Sequence, residues 1–475
     1  MPKTKKLYIL LAVLAVLTAA VFAVSRYEEK KEEIRTSDEI ILSLPTDSVT
    51  AVSWTNESGS FAFTLEDGTW VYEADAAFPA DTEKIEALLE PFASCGAAFV
   101  IENVDDEGLY GLDDPVCTID LTAGDETYTV RLGDYSQMDS QRYASIGDGK
   151  VYLLSHDPLD EFSAVLSDVI CHDAVPEITE AEEITFTGAE NYTIQREEAG
   201  KSICAGDVYF AGEQPLDTSR VESYLSSLSG LSLTEYVTYN ATEEELAAYG
   251  LDAPALTVSL VYPLSEDGEE TGSFTLHLGQ NAAELEEAAE SGEYDAVTCY
   301  ARVGDSGIVY EIAGTRYDTL LRAGTDALRH AEIFTADFTE VTAMEIALDG
   351  ETYEFALGVP ETDEDAENGE TEDGEEETFW LWNGEEIDAS SIESALAAVK
   401  ATEFTDDNTG GTVELRLTLA LDNESFPELT LTFYRRGGES CLAVVNGQSV
   451  ALVPRSQVVT LAEAIRAITL GTEES

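Results

Sequence analysis

Positive charge is scarce in this sequence: 24 Lys and Arg face 96 Asp and Glu, giving a formal net charge of −72 and a pI near 4.1. Nucleic-acid binding depends on Lys and Arg neutralising phosphates, so this balance excludes it. Anionic lipid headgroups and wall polymers are repelled for the same reason, whereas cations, basic peptides or a cationic patch on a partner stay compatible. Histidine is rarer still. His156, His172, His277 and His330 show no H-x-x-x-H spacing, and Cys171-His172 is an adjacent pair whose side chains would diverge on a helix. Such spacing points to no zinc ligand set. The six cysteines (Cys95, Cys117, Cys171, Cys204, Cys299, Cys441) include no C-x-x-C pair, so free and mostly buried thiols are expected rather than a disulfide framework. No P-loop segment and no Rossmann glycine pattern is present, which removes support for nucleotide binding.

What is present is an ordinary globular composition, 44% hydrophobic and 9% aromatic, on 475 residues. That length suits about three domains. Lys3, Lys5 and Lys6 precede an apolar run over 7–24, and Ser25-Arg26-Tyr27-Glu28-Glu29-Lys30-Lys31 follows it. The run approaches the ~20 residues needed to span a hydrocarbon core and exceeds a signal h-region. It predicts an N-terminal transmembrane helix retained as a signal anchor, with only a weak cleavage pattern at Ala23-Val24-Ser25. The basic flank places 1–6 in the cytoplasm and the rest outside, at the cell membrane as a single-pass protein.

The chain repeats itself three times. Asp81-Thr82-Glu83-Lys84-Ile85, Asp217-Thr218-Ser219-Arg220-Val221 and Asp388-Ala389-Ser390-Ser391-Ile392 each open an apolar stripe at i, i+3, i+4 and i+7. Asp as N-cap accepts from an orphan N–H of the first turn, and the stripe docks the helix on a sheet. Leu216 and Ile387 precede two of the caps, where a hydrophobic staple belongs. Upstream lie the aromatic strands Trp70-Val71-Tyr72, Val208-Tyr209-Phe210 and Phe379-Trp380-Leu381-Trp382. Later in each copy comes a hairpin with a glycine turn, at Gly147-Asp148-Gly149, Gly304-Asp305-Ser306-Gly307 and Asn446-Gly447. A second amphipathic helix follows each hairpin, through Phe162, Val165, Leu166 and Val169 in the first copy, Tyr317, Leu320 and Leu321 in the second, and Val458, Leu461, Ala462 and Ile465 in the third.

The first two copies share Tyr110-Gly111-Leu112-Asp113-Asp114-Pro115 and Tyr249-Gly250-Leu251-Asp252-Ala253-Pro254. Glycine in the left-handed conformation, a leucine packing back and a proline barring continuation describe a Schellman stop, which accounts for Asp113 and Asp252 without a carboxylate site. The third copy instead carries Glu361 to Glu377, where eleven of seventeen residues are acidic. That segment cannot bury anything and is expected to be disordered; an acidic hairpin tip over 265–270 decorates the second copy.

The Tyr-Gly-Leu-Asp-x-Pro element, the lysine-flanked apolar run and the strand–Asp–helix repeat together resemble the bacterial membrane-anchored family called domain of unknown function 4340 (DUF4340). The resemblance covers nearly the whole chain, although the third copy lacks the Tyr-Gly-Leu-Asp-x-Pro element. It implies no catalytic residue. Because some members are encoded beside ABC-2-type transporter components, it implies at most an accessory role outside the cytoplasm.

Residues that imitate sites are better explained structurally. Gly304-Asp305-Ser306-Gly307 looks like a protease nucleophile segment, but its equivalents in the other copies place Ser306 in a hairpin turn. Asp363-Glu364-Asp365-Ala366-Glu367-Asn368-Gly369 has its glycine one position late for a calcium loop and lacks the terminal bidentate Glu, so weak diffuse cation binding is the expectation. Alternation within strands makes Trp70, Tyr72, Tyr209, Phe210, Trp380 and Trp382 core residues rather than glycan platforms.

The expected fold is therefore α+β: an N-terminal transmembrane helix followed by three tandem repeats, each a mostly antiparallel sheet with two packed helices. The boundaries are 1–35 for tail, anchor and stalk, then 36–176, 177–335 and 336–475, the last with an acidic disordered loop over 359–378. No catalytic, cofactor-binding or metal residue is assigned and no cofactor is expected. The expected function is that of a non-enzymatic accessory or scaffold protein of the cell envelope, associated with ABC transporter components. A ligand- or glycan-binding module is the first alternative and a hydrolase with a fold-assembled site the second.

Overall fold

The computed structural model describes residues 39–102, 104–265, 270–358, 379–407 and 410–471. These build three antiparallel sheets of nine strands each. Every sheet is made by the same route. A three-strand opening meander comes first: Val49–Asn56, Gly59–Glu66 and Thr69–Tyr72 in the first repeat; Glu183–Gly188, Tyr192–Arg196 and Tyr209–Ala211 in the second; Val341–Leu348, Glu351–Gly358 and Phe379–Trp382 in the third. A crossover helix follows, at Thr82–Ala93, Thr218–Ser229 and Ser390–Ala397. It delivers the chain to a far-edge strand: Cys95–Ile101, Tyr236–Thr238 or Glu403–Phe404.

A four-strand closing meander then returns across the sheet. In the first repeat it is Cys117–Ala123, Glu126–Ser136, Gln141–Ser145 and Val151–Leu154. Its first strand pairs with the first strand of the opening meander, and its last strand pairs with the far-edge strand. The same two closures recur in the other repeats. The ninth strand differs: in the first sheet Glu39–Leu42 pairs outside Cys95–Ile101 and is itself the outermost strand on that side, whereas Gln214–Leu216 and Glu385–Ile387 extend the opening meanders of the others.

Cores form where the crossover helix lies on its sheet. Ile85, Leu88, Leu89 and Phe92 are buried, as are Val221, Tyr224, Leu225 and Leu228, and Ile392, Ala395 and Leu396. In the first repeat Trp54 stacks on Phe63 at 5.6 Å and meets Phe162 edge-on, while its Nε1 donates to the Ala164 carbonyl at 2.9 Å. Asp81 and Asp217 cap their helices as the sequence predicts. In the third repeat the helix begins later: Ala389 stands at the N-cap, and Asp388 accepts from the Ser390 amide just outside it.

The Tyr-Gly-Leu element is a stop of the expected kind. Gly111 and Gly250 have φ of 68° and 66°, and Leu112 and Leu251 are buried. Their amides bond back to the Glu107 and Leu246 carbonyls at 3.2 and 2.8 Å. The adjacent tyrosines pack on the sheet against Tyr143 (5.0 Å) and Tyr300 (4.6 Å). This approach is so close that Gly133 and Gly279, on the strands beneath, have no room for a Cβ beside the Tyr110 and Tyr249 carbonyls.

The expected fold class needs correction. Strands dominate, and two packed helices per repeat is not the rule. The first repeat's second helix is a single turn, Leu159–Phe162, followed by the 3-10 turn Leu166–Asp168. The break falls at Val165, which is extended, and the Asp168 carboxylate takes its amide. The second repeat adds Glu243–Ala248, Ala282–Ser291 and Thr325–Leu328 to its Gly314–Leu321 helix, and the third ends in Arg455–Gly471. Among the described residues no helix is long and apolar enough to cross a membrane. The N-terminal transmembrane helix expected over 7–24 lies outside the described residues, as do the acidic segment 359–378 and tip residues 266–269.

By contact density the chain divides into two compact units. One comprises the described residues within 1–173, 233–242 and 307–310; the other comprises those within 174–232, 243–306 and 311–475. Within the first, Tyr239 meets Phe78 edge-on at 5.1 Å and donates to Asp75, and the Tyr310 hydroxyl accepts the Asp173 amide at 2.7 Å. Within the second, the core of the third sheet also receives Ile203 from the loop before the second repeat's third strand.

Candidate functional site

The residues weighed from sequence fall apart in space. Ser306 lies in the tight turn after Cys299–Val303, where its carbonyl accepts from Arg302 Nε at 2.6 Å. Asp113 and Asp252 are exposed beyond their helix stops. His156 bonds Glu161 on the surface, His172 packs between the rings of Tyr236 and Tyr310, and His277 bonds Thr257 across two strands. Trp70, Tyr209 and Phe210 are buried, and Trp380 and Trp382 pack against the third core. All six cysteines are free; Cys95, Cys117, Cys299 and Cys441 are buried. Burial lifts the Cys95 thiol to about 11 and the Cys117 thiol to about 12, which makes them poor nucleophiles.

Among the described residues the fold assembles a cluster of chemically active groups in the second unit. A tight turn at Cys204-Ala205-Gly206-Asp207 is closed by the Asp207 amide donating to the Cys204 carbonyl at 3.0 Å. Asp207 is 2% exposed and both its oxygens are engaged. The Ser202 hydroxyl lies 2.8 Å from Oδ2, and His330 Nε2 lies 2.8 Å from Oδ1. The other imidazole nitrogen, Nδ1, stands 3.7 Å from Asp217 Oδ2. Asp217 is the helix cap, fixed by the Ser219 and Arg220 amides, with Arg220 Nε at 3.2 Å from its carboxylate. Glu332 completes the group and pairs with Lys400 at 2.8 Å.

The electrostatics follow from this crowd of carboxylates. Burial alone would lower the His330 pKa, but the Asp207 hydrogen bond and the charges of Asp207, Asp217 and Glu332 outweigh it and raise the value. A carboxylate thus faces each ring nitrogen, Asp207 at Nε2 and Asp217 at Nδ1. The Cys204 thiol is pushed up by burial first and by Asp207 next. Ser202 bonds the aspartate rather than the histidine, so the three do not form a hydrolytic triad, in which the hydroxyl must meet the imidazole. The donor atoms of Cys204, Asp207 and His330 all lie within 4.8 Å of one another, and so do those of Asp217, His330 and Glu332. Sequence spacing gave no access to this cluster, because His330 is 123 residues from Asp207. The only local signal is the two-residue gap between Cys204 and Asp207.

The first unit carries a separate groove of about 710 Å³ lined by Asn56, Asp114, Val116, Arg142 and Leu159 among others. Arg142 is held there by both Asp157 oxygens, at 2.7 and 2.8 Å.

Comparison with known proteins adds one relationship. No curated protein and no solved structure matches the chain. The family model described as "Domain of unknown function (DUF4340)" matches twice, over residues 70–254 and 207–417. Both matches begin at the third strand of an opening meander, one at Trp70 and the other just before Tyr209, so the match itself repeats with the fold. The two matches span most of the chain, and the protein belongs to the DUF4340 family.

Proposed function

We propose that the protein is a non-enzymatic accessory or scaffold protein of the cell envelope, with an ABC-type transporter permease as its class of partner. The observation that carries this reading is three exposed apolar side chains on separate segments of the first unit: Met138 is 91% exposed, Leu109 74% and Phe99 58%. On a chain so rich in carboxylates, solvated side chains of this size are candidate anchors for a partner. The net charge of −72 favours a partner with a cationic patch and sets its approach rate and salt dependence. Placement outside the cytoplasm belongs to the proposal and rests on the lysine-flanked apolar run of the sequence alone. The test is gentle extraction of native membranes, brief crosslinking and mass spectrometry of what co-purifies. Transporter subunits are expected with the wild type and lost with a Phe99→Asp, Met138→Asp double variant. Recovery of the protein alone would count against the reading.

The groove beside Arg142 favours a second reading, a ligand- or glycan-binding module, since its volume falls within the range of small-molecule sites. A ligand held there would raise the melting temperature of the wild type and leave a Val116→Trp variant, with the groove plugged, unmoved.

A further inference from the structure

We propose that Cys204, Asp207 and His330 form a binding site for a transition-metal dication of the zinc class. Three donor types converge there with their ligating atoms within 4.8 Å: sulfur, carboxylate oxygen and imidazole nitrogen. Zinc takes this mixture, whereas magnesium and calcium require oxygen. Cys204 and Asp207 lie at the two ends of one tight turn, the separation at which paired ligands of structural zinc sites commonly stand. His330 arrives from a distant segment and joins the ends.

Groups that orient the ligands are already in place. The Ser202 hydroxyl at Asp207 Oδ2 leaves Oδ1 facing the imidazole. Asp217 Oδ2 stands 3.7 Å from Nδ1, beyond hydrogen-bond length but on the side where the carboxylate partner of a metal-bound imidazole belongs. Charge balances as well. A dication offsets the thiolate and the aspartate, and its binding displaces the Cys204 thiol proton to solvent and takes the lone pair of an unprotonated His330 Nε2. Three protein donors leave a fourth position for water or for Glu332, which shares His330 with Asp217 in the adjoining group. The metal would brace 202–207 against 330–332. Ile203 in the first segment packs on the third sheet's core, and Glu332 in the second bridges Lys400.

The experiment uses the full chain under reducing conditions with Co²⁺ as the probe, in excess Mg²⁺ to occupy diffuse sites on the acidic surface. The expected result is a near-ultraviolet thiolate-to-cobalt band, one tightly held ion per chain, and competition by Zn²⁺. Cys204→Ser should abolish the band, and His330→Gln should weaken binding at least ~10-fold. Circular dichroism checks that each variant is folded. Absence of the band from folded wild type would overturn the proposal, because that result depends on no variant. Persistence of the band in Cys204→Ser, or displacement of the ion by Mg²⁺, would overturn it equally.

Discussion

A Cβ at Gly279 would stand 2.5 Å from the Tyr249 carbonyl oxygen, and one at Gly133 would stand 2.1 Å from that of Tyr110. Backbone cannot yield as a flexible side chain can, so Gly279→Ala should cost about 1–3 kcal/mol by overpacking, measured as a lowered urea midpoint. The Tyr-Gly-Leu element was legible in sequence because every residue has a local job. Its glycine partners were not, since their constraint comes from another strand. His277 supplies a pH-dependent counterpart. Burial first, then Arg302, hold its pKa below the ordinary 6.5, with Asp305 opposing. The unfolded chain therefore takes up a proton that the folded chain refuses, and stability is lost as pH falls below that value. Between about pH 7.5 and about pH 5.5 the wild-type urea midpoint should fall relative to that of His277→Gln. A constant offset between them would refute this assignment.

The crossover helices show how far local pattern reaches. Asp81 accepts from the Lys84 amide at 3.2 Å, and Asp81→Ala should cost ~1 kcal/mol, read by urea denaturation. The stripe, the cap and the aromatic strand before it are short-range features, so two copies were read correctly and the third missed only where its helix begins. The far-edge strands behaved differently. Tyr236–Thr238 and Glu403–Phe404 are too short to show a period and exist as strands only because Val309–Ile312 and Gln448–Pro454 pair with them. The single-turn helix after Val151–Leu154 failed in the opposite sense: its apolar spacing is helical, but Val165 is extended and the Asp168 carboxylate captures its amide. Leu225, fully buried on the sheet-facing side of the second crossover helix, tests the core itself; Leu225→Ala should cost about 2–5 kcal/mol.

For the whole molecule, a charge of −72 opposes compaction at every point of the surface. Raising ionic strength from ~0.01 M to ~0.15 M shortens the screening length from about 30 to about 8 Å, so the melting temperature should rise with salt. A chain of two compact units should not unfold as one, and calorimetry is expected to resolve more than one transition, Leu225→Ala lowering the one that belongs to the second unit. Repetition was the most legible property at this scale, because three copies of a local pattern reinforce one another. The Cys204–Asp207–His330 cluster was the least, because it needs the fold to exist. The crossover also sets a timetable for synthesis. The far-edge strand of each repeat leaves the ribosome before the closing strand that will pair with it, as Cys95–Ile101 does before Val151–Leu154. Until that last strand emerges a nascent repeat exposes an unsatisfied edge, and a chain truncated within any repeat becomes a substrate for quality-control proteases rather than a shorter working protein.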